Sequence, residues 1–268
     1  MKAPAFITGG SSGIGLELAK LLAQRGHDIA IFARDAGRLQ GAVQVLKAQF
    51  PDVRIAAWPL DVADRAACEQ VLSRAIGDLG PPGWAIANAG IAEPGEFLTQ
   101  DIAAFETQMQ INYMGALYFA KALAGPMAEA GGGRLVFVGS GAGLVGLYGY
   151  GAYAPPKFAM RGLAEVLRVE LAPRNISVTL AYPPDTETPM LTHEERFKPE
   201  PTKAITAGGG RWASADVARR IVGGADKGRF AVAPGFQMTA LLVLHSLIAP
   251  ALRAWQGWVV RRTGGSRR

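Results

Sequence analysis

The sequence predicts an α/β protein with a doubly wound parallel sheet and helices on both of its faces. Three observations carry this. Short apolar runs alternate with helical patterns over the first 180 residues. The runs lack a polar residue at every second place, as do strands buried on both sides. A glycine-rich turn stands between the first run and the first helix.

The elements follow in order. Ala5–Thr8 predicts a strand and Ile14–Gln24 a helix. Asp28–Ala33, Arg54–Pro59 and Trp84–Asn88 predict the next strands, with helices at Ala36–Gln49 and Asp64–Leu79 between them. Asp101–Met127 reads as one long helix. Arg134–Val138 and Ser177–Tyr182 are strands around a helix from about Ala152 to Leu171. Pro155 and Pro156 are tolerated there only within its first turn, whose N–H groups have no intrahelical partner. That places the start near Ala152 or Tyr153. Ser214–Gly223 predicts a short helix and Arg229–Ala233 a last strand.

Residues 183–212 break the alternation. They are proline-rich, contain Gly208-Gly209-Gly210 and predict a long loop with one short helix. Ligands of open α/β sheets bind beyond the carboxyl ends of the strands, so this stretch reads as a lid over about 184–212.

Charge is unevenly placed. The net charge of +6 comes from the tail: residues 227–268 hold seven Lys/Arg and no acid, whereas all 22 acids lie at or before Asp226. A near-neutral body argues against a nucleic-acid partner. The single cysteine, Cys68, excludes a disulfide framework. With His27, His193 and His245 far apart, no metal-ligand spacing exists. The opening Met1-Lys2-Ala3-Pro4 leaves no room for a secretory leader, which predicts a reducing, cytosol-facing compartment.

Phe236–Val260 is apolar, with no charge before Arg253 and with Trp255 and Trp258 behind it. The extension 236–268 therefore predicts a peripheral or monotopic (re-entrant) anchor at a membrane surface. The alternatives are a full span, and a helix pair packed on the body or in a dimer interface of a soluble cytoplasmic protein.

The chemistry concentrates in a few places. Thr8-Gly9-Gly10-Ser11-Ser12-Gly13-Ile14-Gly15 joins a strand to a helix, the context in which glycines let a pyrophosphate approach a helix N-terminus. The second strand ends without an acid to hold ribose hydroxyls. Arg34 and Arg38 stand there instead, suited to the 2′-phosphate of NADP. Asp61 and Val62 follow the third strand, placed for an adenine, although Asp61 also suits a helix N-cap. Asn88, Ala89 and Gly90 end the fourth strand with space for a flat ring. Ser140 follows the fifth strand. Tyr153 and Lys157, four apart, share one helix face, where a cation lowers a tyrosine pKa. Asn112 lies within the predicted long helix, where its amide holds a water or bends the helix.

These residues resemble the short-chain dehydrogenase/reductase superfamily over about residues 5–235. The resemblance implies a Rossmann-type fold with a seven-stranded parallel sheet and hydride transfer between NAD(P) and a carbonyl or alcohol, the cofactor being NADPH/NADP on the reading of Arg34 and Arg38. It implies catalytic roles for Asn112, Ser140, Tyr153 and Lys157, with Tyr153 and Lys157 also touching the cofactor. Pro183 and Thr188 would meet the nicotinamide. On this reading residues 1–235 form the NADP-binding reductase domain.

A narrower similarity, in AYPPDTETP (181–189), YAPPKFAMRGLAE (153–165), FARD (32–35) and the apolar extension, is to 3-ketodihydrosphingosine reductases. It implies reduction of a long-chain amino ketone, a lipid, at a membrane. Rival readings are a reductase of another apolar ketone (fatty acyl, mycolic-type or steroid) and a non-catalytic NADP-binding scaffold. Glu187, Glu194 and Glu195 of the lid read as surface charges, with attraction of the substrate's ammonium as the alternative. The resemblance also allows a homo-oligomer through the two long helices.

Overall fold

In the computed structural model, residues 2–207 and 210–263 are described; Gly208, Gly209 and the basic end at 264–268 lie outside that range. A seven-stranded parallel sheet in the order β3-β2-β1-β4-β5-β6-β9 organises the chain. Its strands are β1 (Lys2–Thr8), β2 (His27–Ala33), β3 (Ile55–Pro59), β4 (Trp84–Ala87), β5 (Gly133–Val138), β6 (Ile176–Ala181) and β9 (Ala231–Val232). Neighbouring residues on a strand enter opposite cores, which explains the continuous apolar runs. Phe6, Leu135 and Phe137 join one core, while Ile7, Val136 and Val138 join the other.

Helices α1 (Gly13–Gln24), α2 (Ala36–Gln49) and α9 (Ser214–Asp226) cover one face. Helices α3 (Arg65–Leu79), α4 (Ile102–Met109), α5 (Gly115–Glu129) and α6 (Ala154–Glu170) belong to the other side. Local chemistry sets several starts. Asp35 accepts from the Arg38 N–H at 2.9 Å and caps α2; Asp64 accepts from the Ala67 N–H at 3.0 Å and caps α3. The cap of α3 is thus Asp64 and not Asp61, whose carboxylate turns to the Ala63 N–H at 3.0 Å. Helix α6 starts at Ala154, so Pro155 and Pro156 fall in its first turn as expected.

Three expectations are corrected. The long helix is two helices around a five-residue π turn, Gln110–Met114, that holds Asn112. The buried Asn112 side chain bonds the Ile91 backbone in both directions, a distant partner that favours a wider turn at that point. The lid is more ordered than one short helix. It carries α7 (Pro189–Glu194), α8 (Glu200–Thr206) and a parallel two-strand ladder of β7 (Thr186–Glu187) with β8 (Trp212–Ala213).

The third correction concerns the tail, which is a single helix and not a pair, and which packs on the body as the alternative reading has it. It is one 29-residue helix, α10 (Gly235–Thr263), that runs through Pro250. The buried Gln256 accepts from the Tyr148 N–H at 3.0 Å and donates to the Gly146 carbonyl at 3.1 Å. That clamp holds α10 against the loop leading into α6.

Candidate active site

The carboxyl end of β1 and the start of α1 form the first part of the site. Gly9 and Gly13 have φ of 65° and 52°, a region that favours glycine. A Cβ on Gly15 would stand 2.2 Å from the Gly9 carbonyl oxygen, so the turn closes only with glycine there. Ser12 precedes α1 without a side-chain cap bond, which leaves the first N–H groups of the helix open to an anion. This cradle fits a dinucleotide pyrophosphate on the geometry of the chain itself.

Thr8, the first residue of the motif, braces the turn. Its hydroxyl accepts from the Asn88 N–H at 3.0 Å and the Ala89 N–H at 3.1 Å. The Asn88 amide in turn donates to the Thr8 carbonyl at 3.0 Å. The end of β4 is thereby fixed beside the glycine turn, at the reversal of strand order where ligands of such sheets bind.

Ser140, Tyr153 and Lys157 meet across the end of β5. The Tyr153 phenol is buried and hydrogen-bonded to Ser140. The Lys157 ammonium lies 5.5 Å from the Tyr153 ring centroid and donates to the Val138 carbonyl at 3.3 Å. Gly90 sits close by: a Cβ there would be 2.9 Å from the Asn112 amide oxygen and 3.7 Å from the Lys157 Nζ.

The electrostatics differ from the sequence expectation. Burial pushes the Tyr153 pKa above its usual value, helped by the charges of Glu194 and Asp185; the Ser140 hydrogen bond is what acts downward. The expected lowering by Lys157 does not dominate. Burial lowers the Lys157 pKa itself to about 8.

These groups open into a cavity of about 530 Å³, in the size range of small-molecule sites. Ile14, Asn88, Gly90, Pro183 and Thr188 line its cofactor side. Met238, Leu241, Ile248, Leu252 and Trp255 of α10 line the other. Helix α10 is therefore a wall of the site. A Cβ on Gly141, next to Ser140, would stand 2.7 Å from the Met238 Cε.

The lid acids separate into two kinds. Glu187 is exposed, and Glu195 pairs with Arg211 near the surface. Glu194 is only 6% exposed and lines the cavity, which overturns its reading as a surface charge. It accepts from the Tyr150 hydroxyl at 2.5 Å and pairs with Lys198 at 3.1 Å; Lys198 also pairs with Asp185 at 3.2 Å. Burial raises the Glu194 pKa. Burial opposes the Lys198 charge, yet the two carboxylates outweigh it and raise that pKa.

Comparison with known proteins agrees with this geometry. The sequence profile of the short chain dehydrogenase family matches residues 3–199. The chain belongs to the short-chain dehydrogenase family. It is an oxidoreductase with the seven-stranded Rossmann-type fold of that family. It is 39% identical to a 3-dehydrosphinganine reductase of Danio rerio over 89% of this chain and 74% of the relative. It is 38% identical to a 3-ketodihydrosphingosine reductase of Dictyostelium discoideum over 91% of this chain and 78% of the relative. A short-chain dehydrogenase from Sphingobium yanoikuyae, solved with NADPH, superposes with a TM-score of 0.79 at 25% identity, covering 94% of this chain and 96% of that one.

Not every residue named from the sequence joins the dehydrogenase cavity. Arg34 and Arg38 are exposed at the end of β2, two strands from β4; Arg38 pairs with Asp35 at 3.6 Å. Asp61 is exposed beyond β3, and the Val62 side chain is buried against Gly115 of α5, leaving only its backbone for an adenine. Asn112 is not among the cavity-lining residues; its amide bonds the Ile91 backbone in both directions. The Thr188 hydroxyl caps α7, accepting from the Leu191 N–H at 3.2 Å, while its methyl faces Gly13. Sequence reasoning missed Tyr150, Asp185 and Lys198. The i,i+4 spacing of Glu194 and Lys198 was the one visible signal.

Proposed function

We propose that this chain uses NADPH to reduce a long-chain ketone, 3-ketodihydrosphingosine, to the alcohol at a membrane surface. The observation that carries the reading is the single cavity joining Ser140, Tyr153 and Lys157 to the apolar inner face of α10. The relatives named as reductases of this ketone support it.

Gly9, Ser11, Ser12, Gly13, Ile14 and Gly15 would hold the pyrophosphate, and Arg34 with Arg38 the 2′-phosphate. Asp61 and Val62 would flank the adenine. Asn88, Ala89, Gly90, Pro183 and Thr188 would border the ribose and nicotinamide. When bound, NADPH supplies the hydride that reduces the ketone carbon.

The chain's own residues handle the oxygen. The Ser140 hydroxyl donates to the carbonyl and sets its position. Tyr153 donates its proton to the developing alkoxide. Its raised pKa keeps the phenol protonated at neutral pH, and an alkoxide is the stronger base, so transfer runs toward the alcohol. Lys157 holds positive charge behind the phenol and would donate to the ribose of the bound cofactor. Tyr153 and Lys157 are held in buried positions, where electrostatic assistance is strong.

Helix α10 is long and apolar enough to cross a membrane. Phe236, Val243 and Leu247 are 88%, 71% and 79% exposed. With Arg253, Arg261 and Arg262 further along the same helix, this outer face suits an anionic bilayer surface while the inner face receives the lipid.

Reduction should fall as pH rises through about 8, because Lys157 is charged below that value and neutral above it. Initial rates in pH-matched buffers check this; a flat profile to about pH 9.5 rules out the charge requirement. The stability contribution has the opposite sign. With the folded pKa lowered from 10.5 to about 8, this group's contribution is present above 10.5 and lost as pH falls through 8.

The direct test is NADPH oxidation with 3-ketodihydrosphingosine in detergent, beside a short-chain β-ketoester, a steroid ketone and an NADH arm. Turnover confined to the sphingoid ketone with NADPH is expected. Turnover of another ketone alone would remove the lipid assignment and leave the family chemistry in place.

A further inference from the structure

We propose that Glu194 is the specificity-determining residue of the site, receiving the substrate's amino group and selecting a ketone that carries an amine on the adjacent carbon. The inference rests on the lipid-ketone reading above and deepens it.

A carboxylate buried to this degree carries a large desolvation cost unless it is paired or serves a ligand. Glu194 is partly compensated. Both of its hydrogen bonds, from Tyr150 and Lys198, fall on the same oxygen, Oε1. Among the described residues Oε2 has no hydrogen-bond partner, yet the side chain forms part of the cavity lining. One oxygen is held and the other is available.

The charges on the cavity wall point the same way. Its charged lining residues are Lys157 on the cofactor side and Asp185 and Glu194 on the lid side. Lys198 neutralises one of the two carboxylates from behind. One negative charge therefore remains facing the space beside Tyr153, where a primary ammonium fits and an alkyl chain does not.

The placement suits neighbouring groups of one small headgroup. The Tyr150 and Tyr153 rings lie 5.5 Å apart. Tyr153 addresses the ketone oxygen, and Tyr150 holds the carboxylate. An amine one carbon from the ketone reaches the acid while the chain runs along Leu241, Ile248 and Leu252 of α10. A ketone without the amine leaves the second oxygen of the carboxylate desolvated and without a ligand, while Oε1 keeps Tyr150 and Lys198. Sites built to bond a polar group reject analogues that lack it.

The test compares kcat/KM for 3-ketodihydrosphingosine with that for the same long-chain ketone lacking the amine, in wild type and in Glu194→Gln. Wild type is expected to prefer the amino ketone at least tenfold, and Glu194→Gln to bring the ratio close to one, chiefly through KM. Equal wild-type turnover of both ketones overturns the subsite without any variant. A fall in both rates at an unchanged ratio makes Glu194 a brace for the lid and overturns it also. Either result leaves the sphingoid reduction standing. Turnover of the amine-free ketone alone, with none of the amino ketone, removes both the lipid reading and the subsite.

Discussion

Tyr153→Phe is expected to lower kcat about 10²–10⁴-fold, the range for losing a positioned proton donor, while NADPH still binds. The substitution removes one hydroxyl from a buried ring and leaves the N-terminal turn of α6 intact. Its hydrogen bond to Ser140 is lost, but the Ser140 side chain still accepts from the Ala142 N–H at 3.2 Å and keeps its place. Stopped-flow turnover with fluorescence titration of NADPH separates the two effects. A variant that retains wild-type turnover rules out Tyr153 as the donor. Loss of NADPH binding in parallel would show that the phenol mainly holds the cofactor.

Removal of residues 236–268 is the second large effect. It takes away the exposed apolar face and a wall of the cavity together. Co-sedimentation with anionic vesicles should disappear. The apparent KM for the long-chain ketone should rise at least tenfold, since a buried apolar side chain contributes roughly 1.5–3 kcal/mol and several of them line the cavity. The glycine cradle and Arg34 lie elsewhere, so NADPH affinity should persist. Unchanged sedimentation would place membrane attachment outside α10. Unchanged KM would mean that the lipid chain leaves the site by another route.

The sheet and its helices were legible because their causes are local. Asp35 and Asp64 cap helices that follow them directly. The glycines at 9, 13 and 15 answer to the geometry of one turn. Tyr153 and Lys157 share a face by helical period alone. Strands buried on both sides announce themselves as unbroken apolar runs, so the order of elements needed no tertiary information.

Other features depend on partners far along the chain. The π turn at Asn112 goes with bonds to Ile91, on a different element. In the sequence Glu194 reads together with Glu187 and Glu195 as a surface charge, and only packing against Tyr150 and Lys198 separates it from the other two. The tail shows the limit most clearly. An apolar helix is read alike whether it meets lipid or protein, since both remove the same surface from water. Its sequence determined that α10 must be apolar, with a basic end. The tertiary structure decided that one face closes the catalytic cavity while the other stays exposed, because Gln256 and Met238 dock it against the loops at Tyr148 and Gly141.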